Sequence, residues 1–90
     1  MKAKFTKFEQ SENWCSGVCG NYAFEAKSFD TGSSFGIDNG RVSKLHIWHK
    51  DKKGCDLMSY ERGWDIRPSK AVKPAYTAIM ELLENAPMRF

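Results

Sequence analysis

"DNGRVSKLHIWH", Asp38 to His49, carries two instructions for the backbone. The first is a turn, because an Asn-Gly pair readily takes the positive φ values that tight hairpins require. The second is a strand. From Val42 onward the side chains alternate, Leu45 and Ile47 toward one face and Val42, Lys44, His46 and Trp48 toward the other. The first face is core, and the second, mixing aromatic with polar groups, is partly exposed.

The same period extends in both directions. Upstream, "NYAFEAKSF" (Asn21–Phe29) sets Tyr22, Phe24 and Ala26 against Glu25 and Lys27, the pattern of a half-buried strand. Phe29 falls out of step, so the strand ends or bulges there. "DTGSS" supplies turn residues and "SFGI" resumes a short strand. Downstream, "KDKKG" makes a turn and "DLMSYERGW" a further strand, with Met58, Tyr60, Arg62 and Trp64 sharing a face. Arg67 and Pro68 end it, since proline removes a ladder donor.

Beyond them "PAYTAIMELLENA" places Tyr76, Ile79, Met80 and Leu83 at spacings of three and four, the stripe of an amphipathic helix. Pro74 fits the first helical position, since in the interior it would cost about 3 kcal/mol. The helix therefore runs from near residue 74 to near residue 85, before Pro87. The N-terminal "KAKFTKFEQ" has two readings, an edge strand with Phe5 apart from its lysines or a flexible arm. The expected fold is α+β: one domain over residues 1–90, an antiparallel meander of about four strands over roughly residues 14–67, and one C-terminal helix on one face.

Bulk composition narrows the function classes. A chain of 90 residues buries only about 60 to 65% of its unfolded surface, so its stability margin is thin. Fourteen basic against eleven acidic residues give +3, spread over both halves of the chain. Only Lys50, Lys52 and Lys53 cluster, around Asp51 in a turn, which is a solvated loop more than a phosphate track. "MKAKFTKFEQ" is followed by no long apolar run, which predicts neither a secretory signal nor a membrane span and a cytoplasmic protein. Three cysteines, Cys15, Cys19 and Cys55, are an odd number in such a chain and predict free thiols.

Catalytic and metal motifs are weak. Cys15, Cys19, His46 and His49 together would supply the ligands of a structural zinc site. Against that, His46 and His49 point to opposite faces of a strand, and three residues separate the cysteines where two are commoner. Nothing in the sequence brings a histidine to a cysteine as the base of a thiol nucleophile. "GSSFGIDNG" lacks the lysine and following Ser/Thr of a phosphate loop. The carboxylate pairs Asp56 with Glu61, and Asp38 with Asp30, have no spacing that assigns acid and base roles. No cofactor and no enzymatic activity are expected.

"ERGWDIRP" is harder to explain as core. Either Trp64 fills the core under the helix while Arg62 and Asp65 close the sheet end, or Tyr60, Arg62 and Trp64 form an exposed row with the composition of an interface hot spot. Trp14 and Trp48 pose the same question.

The segment from Trp14 through "GSSFGIDNGRVSKL" to "RGW" resembles a family of small bacterial and bacteriophage proteins of unknown function. The matching positions are Trp14, Gly17, Gly32, Ser33, Phe35, Gly36, Ile37, Gly40, Arg41, Ser43, Lys44, Leu45, Arg62, Gly63 and Trp64. The resemblance implies a mobile-element setting, where very small proteins act by binding and blocking a host machine. The leading expectation is a non-enzymatic phage or prophage protein that occupies a host protein, such as a defence component, through Tyr60, Arg62, Trp64 and Trp48, with Arg41 and Lys44 as charged rim. The alternative is a nucleic-acid or nucleotide binder that stacks bases on Trp48, Tyr60 or Trp64 beside Arg41, Lys44 and Arg62. A small zinc module is the third.

Overall fold

A computed structural model describes residues 2–9, 13–29 and 31–85, with the side chains of Phe8 and Glu9 outside that description. Six strands form one antiparallel sheet in chain order: β1 Ala3–Glu9, β2 Trp14–Cys19, β3 Tyr22–Ser28, β4 Val42–His49, β5 Asp56–Glu61 and β6 Trp64–Ile66. One helix, α1 Lys73–Asn85, follows and packs across β1 to β4. The architecture is the α+β meander expected, with six strands where about four were expected.

Three strands were not expected as such, β1, β2 (Trp14–Cys19) and β6, while the expected "SFGI" strand does not form; β1 and β6 each have a local cause. The N-terminal segment is a strand, not an arm: Phe5 is half-buried opposite Gly17, while Lys4 and Lys7 are exposed. The sheet therefore starts at Ala3 and not near residue 14. At the other end "DLMSYERGW" is not continuous. Arg62 takes φ 62°, the amide of Glu61 donates to the carbonyl of Gly63 (2.9 Å), and the chain folds back so that Trp64 pairs with Tyr60.

Two other expectations shift. "SFGI" lies in turns rather than a strand, leading to a 3-10 turn at Ile37–Asn39. The positive φ values there belong to Asp38 (53°) and Asn39 (61°), one residue ahead of the Asn-Gly pair, and the amide of Gly40 closes the turn on the carbonyl of Ile37 at 2.9 Å. Val42, expected among the outward residues, is buried. A register shift between Lys27 and Ser28 pairs Val42 with Ser28 and turns it into the core.

Strand pairing aligns the core. Ala26, Leu45 and Tyr60 lie in one row, and Phe24, Ile47 and Met58 in the next, all buried on the face that α1 covers with Ala75, Ile79 and Leu83. Pro74 stands in the first turn, where its missing N–H breaks no helical bond. Gly17 is the point of close approach within the sheet. A Cβ there would lie 2.1 Å from the carbonyl oxygen of Lys4 and 2.6 Å from the ring of Phe24, which meets Phe5 edge-on at 6.3 Å.

Gly17→Ala is therefore expected to destabilise the domain by about 2 kcal/mol or more, as overpacking against backbone does. Gly63→Ala, with open space around the site, should stay within about 0.5 kcal/mol. Urea unfolding of the two variants beside the parent checks both; equal midpoints would remove the close approach as the constraint on β2.

Candidate functional site

The segment between β3 and β4, described at residues 29 and 31–41, is held from three sides. Its ends join where the amide of Phe29 donates to the carbonyl of Arg41 (3.0 Å) and that of Ser33 to the carbonyl of Gly40 (3.1 Å). Its middle is held from below, where the hydroxyl of Tyr60 donates to the carbonyl of Phe35 at 2.9 Å. Its far end is clasped to the helix. The backbone N–H of Arg41 donates to both carboxylate oxygens of Glu84 (3.0 and 3.2 Å), and the Arg41 guanidinium donates to the carbonyl of Leu83. No basic residue stands in the last turn of α1, so Arg41 supplies from outside the cation that a helix C-terminus favours. Gly40 permits this approach, since a Cβ there would lie 2.5 Å from Glu84 Oε2.

The held loop and the neighbouring strands enclose an open cleft of about 500 Å³. Three cations line it: Lys27 from β3, Lys44 from β4 and Arg62 from the β5–β6 turn. Two exposed rings stand among them, Phe29 and Phe35, and Thr31, Ser33 and Ser43 add hydroxyls. The Arg62 guanidinium lies 4.2 Å over the Phe35 ring, and Lys27 Nζ lies 5.9 Å from the Phe29 ring. Lys44 is shared, with Nζ 3.3 Å from Glu61 and 6.0 Å from the Trp14 ring. Among the described residues neither Lys27 nor Arg62 has a carboxylate within ion-pairing distance, and no carboxylate lines the cleft. The described lining of the cleft is therefore electropositive, with aromatic walls.

Behind Lys44, the uncovered face of the sheet holds His46 between two acids. Its Nδ1 lies 2.8 Å from Asp56 Oδ2 and its Nε2 lies 2.5 Å from Glu61 Oε1, with Ser59 Oγ at 3.4 Å from Nδ1. Partial burial pulls the imidazole pKa down, but the hydrogen bonds and charges of Asp56 and Glu61 outweigh it and leave the pKa above 6.5. Glu61 moves the other way, below its ordinary value, chiefly through the hydrogen bond from His46 with Lys44 adding to it. The imidazolium donates from both nitrogens, and neither is left for a substrate.

The sequence-derived site residues fall into different roles. Lys44 and Arg62 are cleft walls. Arg41 and Tyr60 position the cleft from behind rather than facing it, and Tyr60 is buried on the helix-covered face. Trp64, half-buried, packs edge-on against Tyr60 (5.2 Å between ring centres) and beside Tyr76 (5.9 Å), with Arg67 over its indole at 5.0 Å. The exposed Tyr60-Arg62-Trp64 row is thus corrected: two members face the core, and the third occupies a turn. Trp48 lies apart, beside a shallow hollow with His46 and Lys53.

The zinc arrangement does not assemble. Cys15 and Cys19 are buried on the covered face, with the Cys15 thiol pushed up to about 12 chiefly by burial, while His46 points from the opposite face. His49 stands at the strand end against Tyr22. Among the described residues no group of three or more His, Cys, Asp and Glu converges as metal ligands, and the three cysteines are free thiols. Asp56 and Glu61 do meet, through His46 and not as an acid and base pair; Asp30 lies outside the described residues. No described helix is long and apolar enough to cross a membrane.

Residues 13–84 match the model of a family described as a domain of unknown function (DUF7678). The chain belongs to that family. No curated protein and no solved structure matches it. The DUF7678 match contains every cleft residue together with Arg41, Tyr60 and Glu84, whereas β1 lies outside it. Lys27, Phe29 and Phe35 were missed as site residues in the sequence, although Phe29 breaking the alternation was the visible signal.

The His46 bridge makes stability pH-dependent with a defined sign. A folded-state pKa above 6.5 contributes stability that is fully present below pH 6.5 and is lost as the pH rises through the folded value; the lowered Glu61 pKa contributes above 4.5 and is lost on acidification. The destabilisation caused by His46→Gln is therefore expected to be largest at about pH 5.5 and smaller at about pH 9. Thermal melts of parent and variant at the two pH values check it, and a pH-independent difference would remove the doubly bonded imidazolium.

Proposed function

We propose that this domain is a non-enzymatic binding module that takes an anionic partner in the β3–β4 cleft. The observation that carries the reading is that Lys27 and Arg62, lacking a carboxylate partner among the described residues, are held against phenylalanine rings on the same hollow as Lys44. Cations gathered within one water-lined hollow repel one another unless an anion neutralises them. Held loops and strands set their spacing beforehand, so little order is lost when a ligand arrives.

Retention on a heparin column tests the reading. The double substitution Lys27→Ala, Arg62→Ala should elute at clearly lower salt than the parent. A control of equal charge loss in the β4–β5 turn, Lys50→Ala, Lys52→Ala, should elute close to the parent. Coincident elution of the two doubles would mean that net charge acts and the cleft does not.

A second reading rests on a different surface. Leu57 and Ile66 are exposed, 38% and 44%, on the last two strands of the sheet. Apolar side chains along a sheet margin suit a protein partner, and in the phage or prophage setting this would be a cytoplasmic host protein that the domain binds and blocks. A host protein retained by the parent and lost with Leu57→Glu, Ile66→Glu, in a variant whose circular dichroism is unchanged, is the expected result. Retention by both would remove this margin as the interface.

A further inference from the structure

We infer that the occupant of the cleft is single-stranded nucleic acid, with one nucleotide seated among Phe29, Phe35, Lys27 and Arg62 and the strand continuing over Trp14. The inference rests on the reading of the cleft as an anion site and adds what the rings and the neighbouring surface contribute.

Charge alone would suit an acidic peptide equally well; the rings distinguish the two. Phe35 is half exposed and carries the Arg62 guanidinium on one side at 4.2 Å. A planar guanidinium already held over a ring is a platform on which a base can stack and a donor fork for phosphate. Phe29 is exposed beside Lys27, a second pairing of ring with cation in the same hollow. A base plus a phosphate needs both chemistries together, and about 500 Å³ is within the range that holds one small ligand. Thr31 and Ser33 add exposed hydroxyls that hydrogen-bond sugar or phosphate oxygens.

The surface then continues in one direction. Trp14 on β2 pairs in register with Lys27 on β3, which in turn pairs with Lys44 on β4, and Lys44 Nζ lies 6.0 Å from the Trp14 ring, so the row of cations on the cleft floor leads to the indole. Past it lies a second hollow of about 230 Å³, lined by Lys7, Trp14, Ser16 and Glu25. Glu25 disfavours a phosphate there, so Trp14 receives the next base and the backbone passes by Lys27 and Lys44. Alternating cations and rings on the uncovered face of a sheet are the stacking platform that single strands use. Bases in a duplex are stacked on one another and do not offer their faces to recessed rings.

Fluorescence anisotropy with a labelled eight-nucleotide deoxythymidine strand tests the inference, beside thymidine monophosphate and an eight-residue polyglutamate peptide as competitors. Phe35→Ala and Trp14→Ala should each weaken strand binding by about five- to a hundredfold, the usual loss for one stacked base, with circular dichroism unchanged. Phe35→Leu, which keeps apolar bulk without a π-face, should behave like Phe35→Ala. The monophosphate should compete weakly, with an affinity that depends on Phe35 and not on Trp14. If Lys27→Ala, Arg62→Ala abolishes strand binding while neither ring substitution alters it, the cleft binds anions but the strand inference fails. It fails also if polyglutamate competes as well as the unlabelled strand, or if the monophosphate binds as tightly as the strand. Failure of every polyanion to bind would overturn both readings.

Discussion

The clasp between Glu84 and the start of β4 governs most of what is distinctive here. One carboxylate accepts from the backbone N–H of Arg41, the Arg41 guanidinium closes on the carbonyl of Leu83, and Gly40 leaves room for both. Three ends are satisfied at once: the last turn of the helix, the first residues of a central strand, and a long connection that would otherwise wander. A loop tied at one end would sample many shapes, since each free residue retains about 1 to 2 kcal/mol of backbone entropy. Tied also by the hydroxyl of Tyr60 in its middle, it keeps Phe35 in the solvent and Arg62 over its ring.

That division of labour follows from the two faces of the sheet. The helix covers the face of Phe24, Leu45, Ile47 and Met58, and every side chain paired with these in register goes the same way, Tyr60 and Trp64 included. The opposite face keeps the alternation partners: Lys27, Lys44, His46 and Trp14. There the balance of charge is uneven. Glu61 is engaged by both His46 and Lys44 and Asp56 by His46, whereas Lys27 and Arg62 have no carboxylate partner among the described residues.

Much of the fold was legible from periodicity. The strands at Tyr22–Ser28 and Val42–His49 and the helix at Lys73–Asn85 follow from period-two and period-3.6 patterns that local sterics enforce whatever the surroundings. The hairpin at Arg62 was not legible. Arginine at φ 62° is tolerated because Trp64 gains a place on Tyr60 and Tyr76, a tertiary gain that no local preference announces. Val42 was misassigned for a related reason: one bulge opposite Ser28 reverses the side of everything before it.

The sequence by itself determined the class of fold, the alternation of core and outward residues along β3 and from Lys44 onward in β4, and the turn before β4, because these depend on neighbours along the chain. Only the tertiary structure decided which cations meet. Lys27, Lys44 and Arg62 are far apart in the chain and are brought to one hollow by strand pairing and by a loop held from the helix. It also decided that Arg41 and Tyr60, which as residue types look like contact residues, act as supports. A side chain's chemistry is written in the sequence, but whether it faces solvent or a carbonyl is set by contacts between distant segments, and those exist only once the helix has closed on the sheet.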